Sequence, residues 1–221
     1  MIRAILKFLA SLLLYWLAVT LLLTFVSNAG HIFQNDAAIV GGIAFVAGLL
    51  LFSCRRFRLE PVYVFGHEMT HYLAAKLFRL KTGRIHIGMR EGYVEIVNAN
   101  IWTILAPYFV PFYLVVAMAV LGVTQFFWYP TPREGVLIFS AAVGLTYAYH
   151  CVMTTVAISH TQSDLARHGP MFSLSLILTC NAFFLLLAMM LVTGRWLATW
   201  HTFADLAMLQ FQWLLHTIQR I

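Results

Sequence analysis

The sequence predicts an all-α polytopic membrane protein, with six or seven transmembrane helices and a small membrane-associated β-hairpin. Three observations carry this. Of 221 residues, 62% are hydrophobic and only 10% are charged, where a soluble domain carries about 25% charged residues. So few charges cannot coat a globule in water but suffice where lipid is the solvent, and the mean hydropathy of +0.83 agrees. Apolar segments near the 20 residues needed to span a bilayer recur along the chain, and one interval, 79–99, departs from them.

Residues 8–26 form the first apolar run, behind Arg3 and Lys7. Ser27-Asn28-Ala29 loosely resembles a signal cleavage site, but a signal core is about 7–15 residues long, so a retained helix is expected. A second span covers 37–53, where Gly41, Gly42 and Gly48 suit close helix packing in lipid. It ends at Cys54-Arg55-Arg56-Phe57-Arg58, a basic cluster that reads as cytoplasmic. Two crossings from Arg3 and Lys7 then give a cytoplasmic N-terminus. The third apolar segment, 61–78, opens with Pro61, suited to a first helical turn. Residues 84–88 and 92–96 alternate in polarity around Met89-Arg90-Glu91 and read as a β-hairpin. Further spans lie near 101–123, 135–157 and 170–192, the first of them kinked by Pro107 and Pro111. From 195 to 219, His201, Asp205, Gln212, His216 and Gln219 fall in one stripe at helical spacing. That stripe fits a seventh span or an interfacial helix. No repeat or low-complexity tract divides the chain, so 1–221 reads as one membrane domain. Its core is about 60–181, with 1–54 as extra N-terminal helices and 195–221 as a C-terminal helix.

The net charge of +6 comes from 14 Lys and Arg against 8 Asp and Glu. Basic residues at span ends explain it; no long basic run or aromatic-basic interleaving points to nucleic acid. Cys54, Cys151 and Cys180 form no CxxC pair and read as small hydrophobes.

His67-Glu68-Met69-Thr70-His71 is an HExxH motif. Residues four apart share a helix face, so both imidazoles can reach one ion, and Glu68 sits where a general base is needed. Chance would give the pattern in roughly one such sequence in a hundred. The plain alternative is a pair of packed histidines beside a stray glutamate. Against it, one charged residue at the bilayer centre costs at least about 2.5 kcal/mol. Three ionisable groups within five residues of an apolar helix therefore call for a compensating cation, and Zn2+ fits the donor set. A catalytic zinc takes three protein ligands and keeps a fourth position open. Of the eight acidic residues, Asp164 in the polar run Ser159-His160-Thr161-Gln162-Ser163-Asp164 is the expected third ligand. His160, four residues earlier, is the runner-up, with His150 and Asp205 behind it.

Phe65-Gly66-His67-Glu68-Met69-Thr70-His71 in an apolar helix resembles the site-2 protease family of intramembrane zinc metalloproteases. In that family a membrane-associated β-hairpin follows the HExxH helix, and later helices deliver an aspartate to the metal. The resemblance covers about 60–181, with the segment at 84–97 in the hairpin's place. Ser163-Asp164-Leu165 stands where the family has Asn and Pro ahead of Asp-Gly, closer to its divergent bacterial branch. It implies a multi-pass protein of the bacterial inner membrane, with zinc held by His67, His71 and Asp164 and Glu68 as the catalytic base. The expected substrate is a membrane protein or membrane-associated peptide, its scissile segment unwound and added as a strand to the hairpin edge. His160 or Asn100 would supply a polar donor to the oxyanion. With no regulatory domain legible in the sequence, a separate regulatory protein is a further expected partner. Plain span counting puts the starts of 61–78 and 170–192 on opposite faces; a half-crossing helix 61–78 or an inward dip of 158–169 would bring them together. The competing readings are a catalytically silent scaffold or transporter, and a metal-dependent lipid enzyme, which would need more histidine boxes than nine His provide.

Overall fold

The computed structural model describes residues 2–128, 130–160, 165 and 169–220, apart from the side chains of Arg3, Gln125 and His160. Helix accounts for 82% of the structure, so the all-α expectation holds, with a single two-stranded antiparallel sheet. In chain order the elements are α1 (Ile2–Asn28), α2 (Asp36–Ser53), α3 (Glu60–Leu77), β1 (Thr82–Ile87), β2 (Gly92–Ile96), α4 (Ile101–Phe109), α5 (Phe112–Phe127), α6 (Arg133–His160), α7 (Pro170–Thr193) and α8 (Trp196–Ile218).

Four helices, α1, α2, α6 and α7, are long and apolar enough to cross a membrane, and α4 with α5 makes a fifth if that bent pair is one span. Neither α3 nor α8 reaches that mark, so among the described residues length and apolarity pick out four or five of the six or seven crossings expected from the sequence. The polar stripe of α8, from His201 and Asp205 to His216, is exposed.

The helices are built for a non-aqueous solvent. Large apolar side chains such as Leu13, Leu50, Ile138 and Leu209 point outward, while small hydroxyls are buried. Thr24 Oγ1 donates to Thr20 O at 2.7 Å, Ser140 Oγ to Val136 O at 2.9 Å and Thr70 Oγ1 to Gly66 O at 2.7 Å. Each hydroxyl is satisfied by the carbonyl four residues back in its own helix, which removes the cost of burying it.

Two parallel pairs form the frame. Along α2 and α6, Gly41 faces Ser140, the rings of Phe45 and Tyr147 stack at 5.8 Å, and Phe52 meets Tyr149 at 4.9 Å. Asp36 and Arg133 pair where both helices begin. The seam depends on glycine: a Cβ on Gly144 would fall inside the van der Waals surface of the Gly41 carbonyl oxygen and 2.8 Å from Phe45 N. Gly144→Ala is therefore expected to destabilise the protein by about 1–3 kcal/mol or more, as overpacking does. Thermal unfolding in detergent would register it as a lowered midpoint. In the other pair, Thr179 Oγ1 of α7 lies 2.8 Å from Leu14 O of α1, and Leu21 packs with Ala182, Leu186 and Met189. α8 runs back along α1, with Thr20 Oγ1 2.6 Å from Gln210 Oε1.

Between these pairs, α3, the hairpin and α4 make an excursion that returns to its starting level. α4 runs antiparallel to α3, with Thr103 beside His71 and Tyr108 beside His67. The chain then breaks at Val110 and Pro111, and α5 departs at 74° to α4. The break follows from Pro111, which forces Val110 into extended backbone (ψ 108). The other proline of this segment, Pro107, lies inside α4. The hairpin expected at 84–97 is present, with Ile85 opposite Val94, His86 opposite Tyr93 and Ile87 opposite Gly92.

Candidate metal centre

α3 is fixed at both ends. It starts behind Leu59, whose left-handed backbone (φ 47) turns the chain into Pro61 in the first helical turn. Tyr149 Oη donates to Leu59 O at 2.9 Å, and Tyr113 Oη donates to Val62 O. It stops at Arg79, also left-handed (φ 55), where Leu80 N donates to Ala75 O at 2.8 Å and Arg79 N to Lys76 O at 3.0 Å. This is the common left-handed closure of a helix C-terminus.

Within α3, His67 and His71 lie edge to face with ring centroids 4.9 Å apart. Two imidazoles bound to one ion through a nitrogen each, at about 2.0–2.1 Å and a tetrahedral angle, have centroids about 5 Å apart. The spacing fits. Each ring is also held at Nδ1: His71 Nδ1 lies 2.7 Å from Thr103 O and His67 Nδ1 lies 3.0 Å from Tyr63 Oη. A carbonyl oxygen only accepts, so His71 donates from Nδ1, and its neutral ring keeps the basic nitrogen at Nε2. A histidine tethered by one nitrogen and oriented by the other is the usual form of a metal ligand.

Glu68 is 6% exposed, and its Oε2 is buried with no hydrogen-bond partner among the described residues. An unpartnered buried carboxylate oxygen costs free energy unless something outside the chain compensates it. The hairpin roofs this residue. A Cβ at Gly92 would lie 2.7 Å from Glu68 Cγ, 2.9 Å from Val64 Cγ1 and 2.9 Å from His86 O. Gly92→Val is therefore expected to displace either the carboxylate or β2 and to destabilise the protein by about 1–3 kcal/mol, as overpacking does. A lowered thermal unfolding midpoint in detergent, with Gly92→Ala falling between wild type and Gly92→Val, would register it. The hairpin tip also approaches the start of α3, with Arg90 Nε 3.5 Å from Glu60 Oε2. Both side chains are exposed, so that pair contributes little.

On the side of His67 facing α6, a small cavity of about 20 Å³ is lined by Tyr63, Gly66, Thr70, Tyr113 and His150. That volume holds about one water. His150 thus reaches the neighbourhood of the HExxH helix, but it is engaged elsewhere. Asn181 Nδ2 donates to Tyr108 O at 3.0 Å, so its Oδ1 accepts from His150 Nε2, also at 3.0 Å.

The expected third ligand, Asp164, lies outside the described residues, as does the side chain of the runner-up His160. Asp205 is exposed on α8. Among the described residues, no group of three or more His, Cys, Asp or Glu side chains is arranged to hold an ion. Leu165 is described: it is buried against Ile104, Leu105 and Tyr108 of α4, and Ser173 Oγ donates to its carbonyl at 3.2 Å. Asn100, one of the two candidate oxyanion donors, caps α4 through Oδ1, which accepts from Thr103 N at 2.9 Å.

Sequence reasoning missed Tyr63, Gly92, Asn181 and the Thr103 carbonyl. Only Tyr63 left a signal, its position four residues before His67 placing it on the same helix face. No family model, no curated protein and no solved structure matches this chain.

Proposed function

We propose that the chain is an intramembrane zinc metalloprotease of the site-2 protease type, hydrolysing a peptide bond in or near the membrane segment of a protein substrate. The observation that carries this reading is the buried, unpartnered carboxylate oxygen of Glu68 beside two imidazoles on one helix face. His67 and His71 would hold the ion. Asp164 is the favoured third ligand, supported by the burial of its chain neighbour Leu165 against the helix that holds His71. Zinc, when bound, acidifies water and polarises a carbonyl. Glu68 then accepts the proton of the attacking water and returns it to the departing amine. Burial under the hairpin keeps bulk water from competing for that carboxylate. Tyr63 and the Thr103 carbonyl hold the imidazoles in one orientation throughout.

α3 is read as a half-crossing helix. Three features support this: its apolarity falls short of a span, α4 returns antiparallel along it, and α5 leaves at 74°. The starts of α3 and α7 and the end of α6 then share one face, that of the basic cluster Arg55-Arg56-Phe57-Arg58. The full reading has a cytoplasmic N-terminus in a bacterial inner membrane, α8 lying along α1, and a separate regulatory protein selecting substrates. A substrate strand would be added to the hairpin edge above Glu68.

The test is zinc content together with cleavage of a membrane-embedded peptide by the purified protein. Stoichiometric zinc and hydrolysis stopped by a chelator are expected. Iron in its place would favour a lipid-modifying enzyme, and cellular function surviving without cleavage would favour a scaffold.

A further inference from the structure

We propose that Pro107 is a positioning residue for His71: having no N–H, it leaves the Thr103 carbonyl without an intrahelical donor, and that carbonyl holds the imidazole through Nδ1. In an α-helix the carbonyl of residue i accepts from the N–H of residue i+4. For Thr103 in α4 that donor would come from position 107, which is a proline inside the helix, and proline has no N–H to give. The helix continues on both sides of the gap. Ile104 N donates to Asn100 O at 3.0 Å, and Val110 N donates to Ala106 O at 2.8 Å. The vacated acceptor belongs to a residue with no exposed surface, so it needs a partner from within the protein. His71 Nδ1 supplies one at 2.7 Å.

The usual reason for a proline within a helix, a kink, does not account for this one. The 74° bend falls after Phe109, at Val110 and Pro111. Pro107 lies inside α4, ahead of that break, and what it changes is the hydrogen bonding of one carbonyl. The rest of Thr103 is locked by Asn100, whose Oδ1 accepts from Thr103 N at 2.9 Å while Thr103 Oγ1 donates to Asn100 O at 2.8 Å. The peptide plane on the donor side is therefore fixed and the carbonyl is directed at α3. With the proton held at Nδ1, the basic nitrogen of the neutral ring is Nε2, the one a metal would take.

The part of this inference that concerns metal affinity rests on the metalloprotease reading; the part that concerns the His71 tautomer does not. The test uses the full-length protein in detergent, wild type against Pro107→Ala, which restores the missing N–H. In the metal-free proteins, side-chain 15N resonances of His71, assigned through His71→Gln, report the tautomer. Wild type is expected to show the Nδ1–H form alone, and P107A a mixture containing the Nε2–H form. Zinc affinity by chelator competition should fall about 10- to 100-fold in P107A, the usual effect of losing a group that orients a ligand. Helix content by circular dichroism should not fall, because alanine favours helix over proline. Pro107→Gly restores the same N–H and serves if P107A does not fold. An unchanged His71 tautomer in both variants overturns the proposal, whatever the zinc result. A shifted tautomer in protein that binds no zinc supports it and instead sinks the metalloprotease reading.

Discussion

Glu68→Gln is expected to lower peptide hydrolysis by about 10²–10⁴-fold, the usual contribution of a positioned general base, while zinc stays bound. The amide keeps the shape of the carboxylate, so the fit under Gly92 survives, but it cannot take a proton from water at neutral pH. In the metal-free protein the same change should leave stability unchanged or raise it, because a neutral amide costs less to bury than a carboxylate whose Oε2 has no hydrogen-bond partner among the described residues. Cleavage rate, zinc by mass spectrometry and thermal unfolding on one preparation would measure all three. Zinc lost together with activity would make Glu68 a ligand; activity retained would end the hydrolase reading.

His71→Ala and His67→Ala should each abolish stoichiometric zinc. Losing a ligand outright should cost more than the roughly 10- to 100-fold attached to losing a group that merely orients one. His71→Ala additionally strands the Thr103 carbonyl, which is buried and has no donor at position 107. It is therefore expected to lower stability more than His67→Ala, whose neighbour Tyr63 carries a hydroxyl able to reorient. His150→Ala is the control. Its Nε2 is committed to Asn181, so zinc content should hold while the contact between α6 and α7 weakens. If His150→Ala emptied the site and His71→Ala did not, the proposed ligand set would be wrong.

Much of the fold was legible because lipid imposes a coarse rule: long apolar runs become helices, and charge clusters mark their ends. The boundaries of α2 and α6 follow from that rule, as does the hairpin, whose alternation around Met89-Arg90-Glu91 stands out against apolar flanks. The crossing number did not follow. Hydropathy alone does not distinguish a helix that crosses from one whose chain doubles back: α4 runs antiparallel to α3 after the hairpin, and Pro111 then turns the chain into α5. Likewise Pro107 and Pro111 look equivalent as letters, yet one sits within a helix and the other ends it. At the site, the HExxH spacing announced His67, Glu68 and His71. Nothing announced the Thr103 carbonyl, which is a backbone group, or Gly92, whose role is the room it leaves for Glu68.

The buried hydroxyls of the bundle have a further effect. Because Thr24, Thr70 and Ser140 each give their proton to their own helix, pulling neighbouring helices apart in lipid leaves these groups satisfied. Cohesion between the rods then rests on shape, dispersion and a small set of polar links, among them Thr179 to Leu14 O, Asn181 to Tyr108 O and Tyr147 to Asn181 O. Such an assembly is sensitive to the thickness and fluidity of the surrounding bilayer.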